Sequence, residues 1–249
     1  MSGGARNEKR RQQDARQARL AAAGITVPPS KVGVNRTPLI IVGVVLAVVI
    51  VAVLGYYLIS NRTVTPGFTA TASGAVVTAG SGPVVIDMYE DFLCPGCNAL
   101  EQRDGAAITT ALNDNKITVK YHMLGFLDSK TNPAGYSTRA ADASVCAATA
   151  GIYGKYHQKL YAEQPAENSA GLTDDQLVTF GTDLGATGDF STCVKGTTHD
   201  ADIKKETDAA KSNAALKTNG QFATPTIAVA GKTIDINDST WLATAIAGK

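Results

Sequence analysis

Cys94-Pro95-Gly96-Cys97 limits what this chain can fold into more than any other feature, because of what flanks it. Upstream, Pro83–Tyr89 (PVVIDMY) is a short β-branched run of the kind that makes a buried strand. Downstream, Asn98–Asn113 sets Leu100, Ala107, Ile108 and Leu112 at helical spacing, and Ile117–Leu124 reads as a second strand. A strand, a helix and a strand of these lengths form a βαβ unit with the cysteines at the strand-to-helix turn. Two intervening residues in a first helical turn bring both sulfurs within bonding distance. Cys94 stands where free backbone N–H groups and the helix dipole favour a thiolate. Pro95 suits the first helical position, having no N–H to waste. Cys94 is then the sulfur that enters mixed disulfides, and Cys97, one turn deeper, resolves them. The dipole contributes roughly 0.5–2 kcal/mol, which moves a pKa by no more than about 1.5. A larger depression requires hydrogen bonds to the sulfur itself.

The other cysteines are Cys146 and Cys193, and four cysteines permit three pairings between which sequence does not choose. A zinc ribbon needs two C-x-x-C hooks, whereas this second pair is separated by 46 residues. None of His122, His157 and His199 supplies a fitting partner, so no metal is expected and no cofactor is implied.

Leu39–Ile59 is a 21-residue run without charge, long enough to span about 30 Å as a helix. It is too long for a signal-peptide core and lacks a convincing cleavage site, so it reads as a retained signal anchor. Residues 1–36 carry eight basic side chains against Glu8 and Asp14, a net +6, which leaves −5 for the rest of a chain of net charge +1. Basic residues cluster before the span, with Arg62 alone after it, so residues 1–38 are expected in the cytoplasm and the remainder outside. The basic head has no aromatic residues and suits anionic lipid headgroups; nucleic acid is not an expected partner. The exported side of a membrane permits disulfides.

Residues 60–73 are Thr-rich and read as a tether, leaving 74–249 as the folded domain. Ala75–Val77 reads as a short strand. Between about 132 and 199 the pattern turns helical, with an Ala-rich stretch at Thr138–Leu160 and a capped helix at Thr173–Leu184 ending at Gly185. Phe190–Val194 is a short apolar piece, and Asp200–Lys217 a further helix. Strands return at Thr226–Val229 and Thr233–Ile236, and Ser239 caps a last helix. The fold class is therefore α/β, a sheet with an inserted helical region preceded by one membrane span, and with the dithiol at its strand-to-helix turn it resembles a thioredoxin-like fold. Thr224-Pro225, just before the returning strand, occupies the position of the cis-proline loop that thioredoxin folds set opposite the dithiol.

Tyr89-Glu90-Asp91-Phe92-Leu93-Cys94-Pro95-Gly96-Cys97 resembles the active-site segment of DsbA-like thioredoxins, especially exported actinobacterial forms. Lys120-Tyr121-His122-Met123 is similar to that family's strand after the active-site helix, and the likeness covers roughly residues 75–249. It implies a dithiol oxidase acting on unfolded exported proteins. It also implies reoxidation by a membrane partner of the DsbB or vitamin-K-epoxide-reductase-like type. Thr224 and Pro225 would bind substrate, with Pro95, Gly96 and Lys120 in support. One departure stands out. The family often has a buried carboxylate six residues before the first cysteine, where this chain has Met88; Asp87 and Glu90 flank it, and Glu101 is a possible substitute.

Cys146 and Cys193 fall on separate inserted helices and read as one structural disulfide, worth at most about 4 kcal/mol by loop entropy. The rival reading is two buried thiols. His122 is expected to pack or hydrogen-bond beside the central strand, His157 to be a satisfied helix histidine, and His199 to lie on the surface. Tyr153, Tyr156, Tyr161 and Phe180 read as core of the insertion, and Trp241 as packing the last helix on the sheet. Two other functions compete. A reductase or isomerase would use the same chemistry, and a redox-inert module would have only structural disulfides.

Overall fold

The structure, a computed structural model, describes residues 3–25, 40–42, 44–51 and 64–248. It comprises two compact units, residues 1–58 and 59–249. In the first, Gly3–Ala22 forms helix α1, rich in arginine and glutamine. The apolar run Leu39–Ile59 lies only partly among the described residues. Residues 40–42 and 44–51 are helical and exposed, and no described helix is long and apolar enough to cross a membrane.

The second unit is built on a six-stranded sheet in the order β1-β2-β4-β3-β5-β6. The strands are β1 (Ala70–Ser73), β2 (Val76–Gly80), β3 (Val84–Glu90), β4 (Ile117–Met123), β5 (Thr226–Val229) and β6 (Lys232–Thr233). Only β3 and β4 run parallel, because the crossover helix α2 (Pro95–Asn113) joins them; all other neighbours are antiparallel. Strand alternation turns Ile86, Met88 and Glu90 of β3, with Ile117, Val119, Tyr121 and Met123 of β4, into the core. Asp87, Tyr89, Lys120 and His122 take the opposite face.

Between β4 and β5 come α3 (Tyr136–Thr149), α4 (Tyr153–Ala162), α5 (Asp174–Asp183), α6 (Phe190–Lys195) and α7 (Asp200–Ser212); α8 (Trp241–Ile246) closes the chain. The Ala-rich stretch is two helices, not one. Gly151 (φ 75°) follows the end of α3 in the left-handed region and breaks it. Helix α5 begins as expected at Thr173, which forms a capping box with Gln176. Trp241 is buried, but its indole N–H donates to Asp104 Oδ2 (2.8 Å), so it fastens α8 to α2.

The expected tether over 60–73 is shorter than its composition suggested. Its end forms β1, paired with β2 from Ala70↔Ala79 to Ser73↔Val76, with Ala70 and Ala72 packed against the core. Residues before it are strapped down as well. Asn113 of α2 accepts from Gly67 N and donates to the Thr65 carbonyl, and Gln158 of α4 donates to the Val64 carbonyl. Small alternating residues carried too weak an apolar signal to announce a strand.

Candidate active site

Helix α2 starts where β3 has delivered the chain, with Cys94 as its N-cap and Pro95 in the first turn. Cys94 is 7 % exposed and Cys97, one turn on, is fully buried. Pro95 and Gly96 are exposed. The cysteines are reduced in this structure. As a thiol, Cys94 donates to the Thr224 carbonyl at 3.2 Å, across 130 residues of sequence. The sheet makes that approach: Tyr89↔Thr226 and Met88↔Ile227 pair β3 with β5, so the residues just before β5 must lie beside the turn after β3. The Thr224–Pro225 bond is cis, as the sequence suggested, and so is Asn132–Pro133, which carried no such signal. Gly96 allows close approach here, since a Cβ on it would stand 3.2 Å from Pro225 Cδ and 3.6 Å from Cys94 Sγ.

The two sulfurs are held in opposite electrostatic states. As a thiolate, Cys94 accepts from the Cys97 thiol, from the Thr224 side chain, and from the backbone N–H groups of Cys97 and Gly96. These hydrogen bonds outweigh burial and bring it down to about 6. Helix position alone would not do this. Burial pushes Cys97 well up, and its bond to Cys94 and the nearby charges of Cys94 and Glu90 add to that, against one backbone N–H from Asp91. At pH 7 about nine-tenths of Cys94 is therefore thiolate, ready as nucleophile, while Cys97 keeps its proton. We predict that alkylation of the reduced protein rises with pH around a midpoint near 6. Cys97→Ala should move that midpoint upward, because the leading hydrogen bond to the sulfur is lost. Iodoacetamide rates against pH measure both.

The turn before Cys94 is itself braced. Asp91, fully buried, accepts from Leu93 N and Leu127 N (both 2.8 Å), yet burial outweighs these bonds and pushes it up to about 7. Gln164, just beyond α4, donates to the carbonyls of Phe92 (2.9 Å) and Cys94 (3.0 Å) and accepts from Asn98 (3.1 Å). None of these three residues was singled out from the sequence.

Beneath Cys97 lies a buried pair whose members the sequence named separately, Glu90 beside Met88 and His157 as a satisfied helix histidine, without joining them. Met88 is core, but Glu90, two residues on and hence on the same face, carries a carboxylate into the interior at 2 % exposure. His157 Nε2 of α4 meets it at 2.9 Å. Burial opposes the imidazolium, yet Glu90 and then Glu101 outweigh it, and the His157 pKa stands above its ordinary value. Glu101 of α2 is itself pushed up, mainly by burial. Phe92, Tyr121, Tyr153 and Tyr161 surround the imidazole, with ring centroids 5.0–5.6 Å away. Among the described residues, the buried hydroxyls of Tyr153 and Tyr161 find no partner. Asp87 does not belong here. It lies across the sheet, where His122 bridges Asp87 Oδ1 (3.2 Å) and Glu206 Oε1 (2.7 Å) and stacks on Tyr89 at 4.1 Å.

Lys120, expected to support the dithiol, is exposed. Its parity on β4 is that of His122, opposite to Tyr121, so the strand turns it away from the face beneath Cys97. Cys146 of α3 and Cys193 of α6 are joined as a disulfide with Cα atoms 6.0 Å apart, apart from the Cys94–Cys97 pair.

Comparison with known proteins agrees with this geometry. A family model described as Thioredoxin matches residues 73–246. The structure of MdbA, a thiol-disulfide oxidoreductase from Corynebacterium diphtheriae, superposes with a TM-score of 0.63. It is 24% identical, over 74% of this chain and 96% of that one. Reduced DsbA from Mycobacterium tuberculosis gives 0.60 at 24% identity, over 73% and 91%. In sequence, the chain is 31% identical over 180 residues to the serine/threonine-protein kinase PknE of Mycobacterium tuberculosis. That match takes in 68% of this chain and 31% of the kinase, so the chain spans about a third of the length of the curated relatives it matches.

Proposed function

We propose that this chain, which belongs to the thioredoxin family, is an exported thiol:disulfide oxidoreductase that oxidises dithiols in secreted or cell-envelope proteins. The observation that carries this reading is Cys94 at the helix start, its sulfur 3.2 Å from the Thr224 carbonyl beside cis-Pro225 and one turn from a fully buried Cys97, a setting that lowers Cys94 and raises Cys97. A stabilised Cys94 thiolate favours the reduced form of the pair, and so makes its disulfide a better oxidant.

In the proposed cycle the enzyme begins as the Cys94–Cys97 disulfide. A substrate thiolate attacks Cys94 Sγ, the S–S bond breaks, and the electron pair leaves on Cys97. The second substrate thiolate then attacks its own sulfur in the mixed disulfide and expels Cys94, which leaves readily because its thiolate is stable. The substrate ends oxidised and the enzyme reduced. Cys97 must gain a proton in the forward direction and lose it on reoxidation, and Glu90 and His157 are the buried groups nearest in role for that exchange. An extended substrate segment would lie along the backbone of Thr224 and Pro225, whose recognition depends little on side chains.

Leu39–Ile59 anchors the protein, residues 1–38 stay in the cytoplasm, and a membrane protein of the DsbB or vitamin-K-epoxide-reductase-like type restores the disulfide. The testing experiment is the redox equilibrium of the full chain against glutathione. Thiolate pKa values in C-x-x-C motifs run from about 3.5 in strong oxidants to about 7 in reductants. A value near 6 predicts an intermediate potential, above that of a thioredoxin reductant. A potential at or below the thioredoxin value of about −270 mV would make the chain a reductase instead.

A further inference from the structure

The sequence offered no histidine to go with Cys146 and Cys193, but the fold supplies one. Helix α3 carries Asp142 and Cys146 four residues apart, hence on one face. Helix α6 brings Cys193, and His199 caps the start of α7. His199 Nε2 lies 3.7 Å from Cys193 Sγ, and Asp142 Oδ2 lies 3.7 Å from Cys146 Sγ. The two sulfurs and the imidazole nitrogen all fall within 4.8 Å of one another. The backbone N–H of His199 donates to Asp142 Oδ1, which ties the histidine to the helix that bears Cys146.

We propose that Cys146, Cys193, His199 and Asp142 form a redox-gated site for a zinc-class divalent cation, available only while the Cys146–Cys193 bond is open. With metal–sulfur distances of about 2.3 Å and metal–nitrogen or –oxygen distances of about 2.0–2.2 Å, ligand atoms of a tetrahedral site stand about 3.3–3.8 Å apart. The His199–Cys193 and Asp142–Cys146 edges already meet that separation. The two sulfurs must part, from bonded contact to about 3.8 Å, and the Asp142 carboxylate must turn in to join the three donors that already lie within 4.8 Å of one another. Two thiolates and an imidazole select a borderline-soft ion such as Zn2+ over Mg2+ or Ca2+. Cys193 and His199 are partly exposed, which gives the ion a way in, whereas Cys146 and Asp142 are buried.

The chemistry balances. A dithiol reductant transfers two electrons and two protons to the Cys146–Cys193 bond, giving two thiols and leaving as a disulfide. Zn2+ then displaces both thiol protons and is held by two thiolates, His199 and Asp142. In reverse, a disulfide oxidant takes two electrons from the thiolates, the S–S bond reforms, the oxidant departs as two thiolates, and Zn2+ is released. Metal and disulfide are thus mutually exclusive. A newly made chain, still reduced, would have these thiols masked from the wrong pairing with Cys94 or Cys97.

The test uses the full chain in detergent with Cys94→Ser and Cys97→Ser, so that Cys146 and Cys193 are its only thiols. Zn2+ binding, read by displacement of Co2+ and its thiolate charge-transfer absorption, is compared before and after reduction by a phosphine. Tight binding of one ion should appear only after reduction, and a disulfide oxidant should release it. His199→Ala should weaken it by more than the about 10–100-fold that loss of an outer-shell partner costs. Equal binding by oxidised and reduced protein, or affinity unchanged by His199→Ala, overturns the proposal. Should reduction unfold the domain, far-UV circular dichroism decides. Recovery of helix on adding Zn2+ supports the site, and no recovery overturns it.

Discussion

Replacing Cys94 by Ser is expected to reduce dithiol oxidation to the uncatalysed background, whereas Cys97→Ser, offered a disulfide-bonded substrate, should stop at a mixed disulfide between Cys94 and that substrate. The two effects differ because the fold gives the cysteines different jobs. Cys94 is the helix N-cap, reached from outside past Thr224, and its thiolate is favoured. Cys97 is fully buried, and burial disfavours its charge. Only Cys94 can meet a protein substrate, and when the exchange runs from an oxidised substrate only Cys97 can attack Cys94 from within and release it. Mass spectrometry after mixing the reduced variants with a disulfide-bonded substrate, whose S–S bond the Cys94 thiolate attacks, gives the answer. A covalent adduct on Cys94 in the Cys97→Ser protein, and none in the converse variant, is the expected pattern; adducts on Cys97 would reverse the roles. Trapping should be efficient at pH 7 and fall away below about 6, as the Cys94 thiolate is protonated.

The largest effect on stability is expected at His157. Its imidazole and the Glu90 carboxylate are 5 % and 1 % exposed and 2.9 Å apart. Removing one member of a buried pair strands the other, at a cost of about 3–5 kcal/mol. His157→Leu should destabilise the domain by that order. Adding Glu90→Gln should recover part of the loss, because the stranded charge is gone; urea melts of the four proteins form the cycle. pH gives a second readout. The folded pKa of His157 is raised, so its contribution is fully present below about 6.5, the unfolded value, and is lost as pH rises through the folded one. Stability of the parent should therefore fall with rising pH above about 6.5, less steeply in His157→Leu. The measurement belongs on the oxidised protein. In the reduced form the depressed Cys94 contributes with the opposite sign, gaining stability from about 6 up to the ordinary thiol value near 9.

Much of this protein was written locally. β-Branched runs, helical periodicity and a Pro after Cys94 were enough to fix β3, α2 and β4, and with them the dithiol at a helix start, because such patterns act over a few residues. The capping box at Thr173 was legible for the same reason. What the tertiary structure decided were the partners of side chains far apart in sequence. Glu90 and His157 are 67 residues apart, and nothing near either predicts that α4 will set the imidazole against the carboxylate below Cys97. Strand parity, invisible in a list of neighbours, sent Asp87 and Lys120 to the other face and left Glu90 where Met88 offers no charge. Folding also drew Cys193 and His199 to Cys146, making a three-donor cluster from residues whose spacing argued against one. Backbone preference is set by each residue and its near neighbours, whereas the charge a buried group can hold depends on what packing brings within a few ångströms of it.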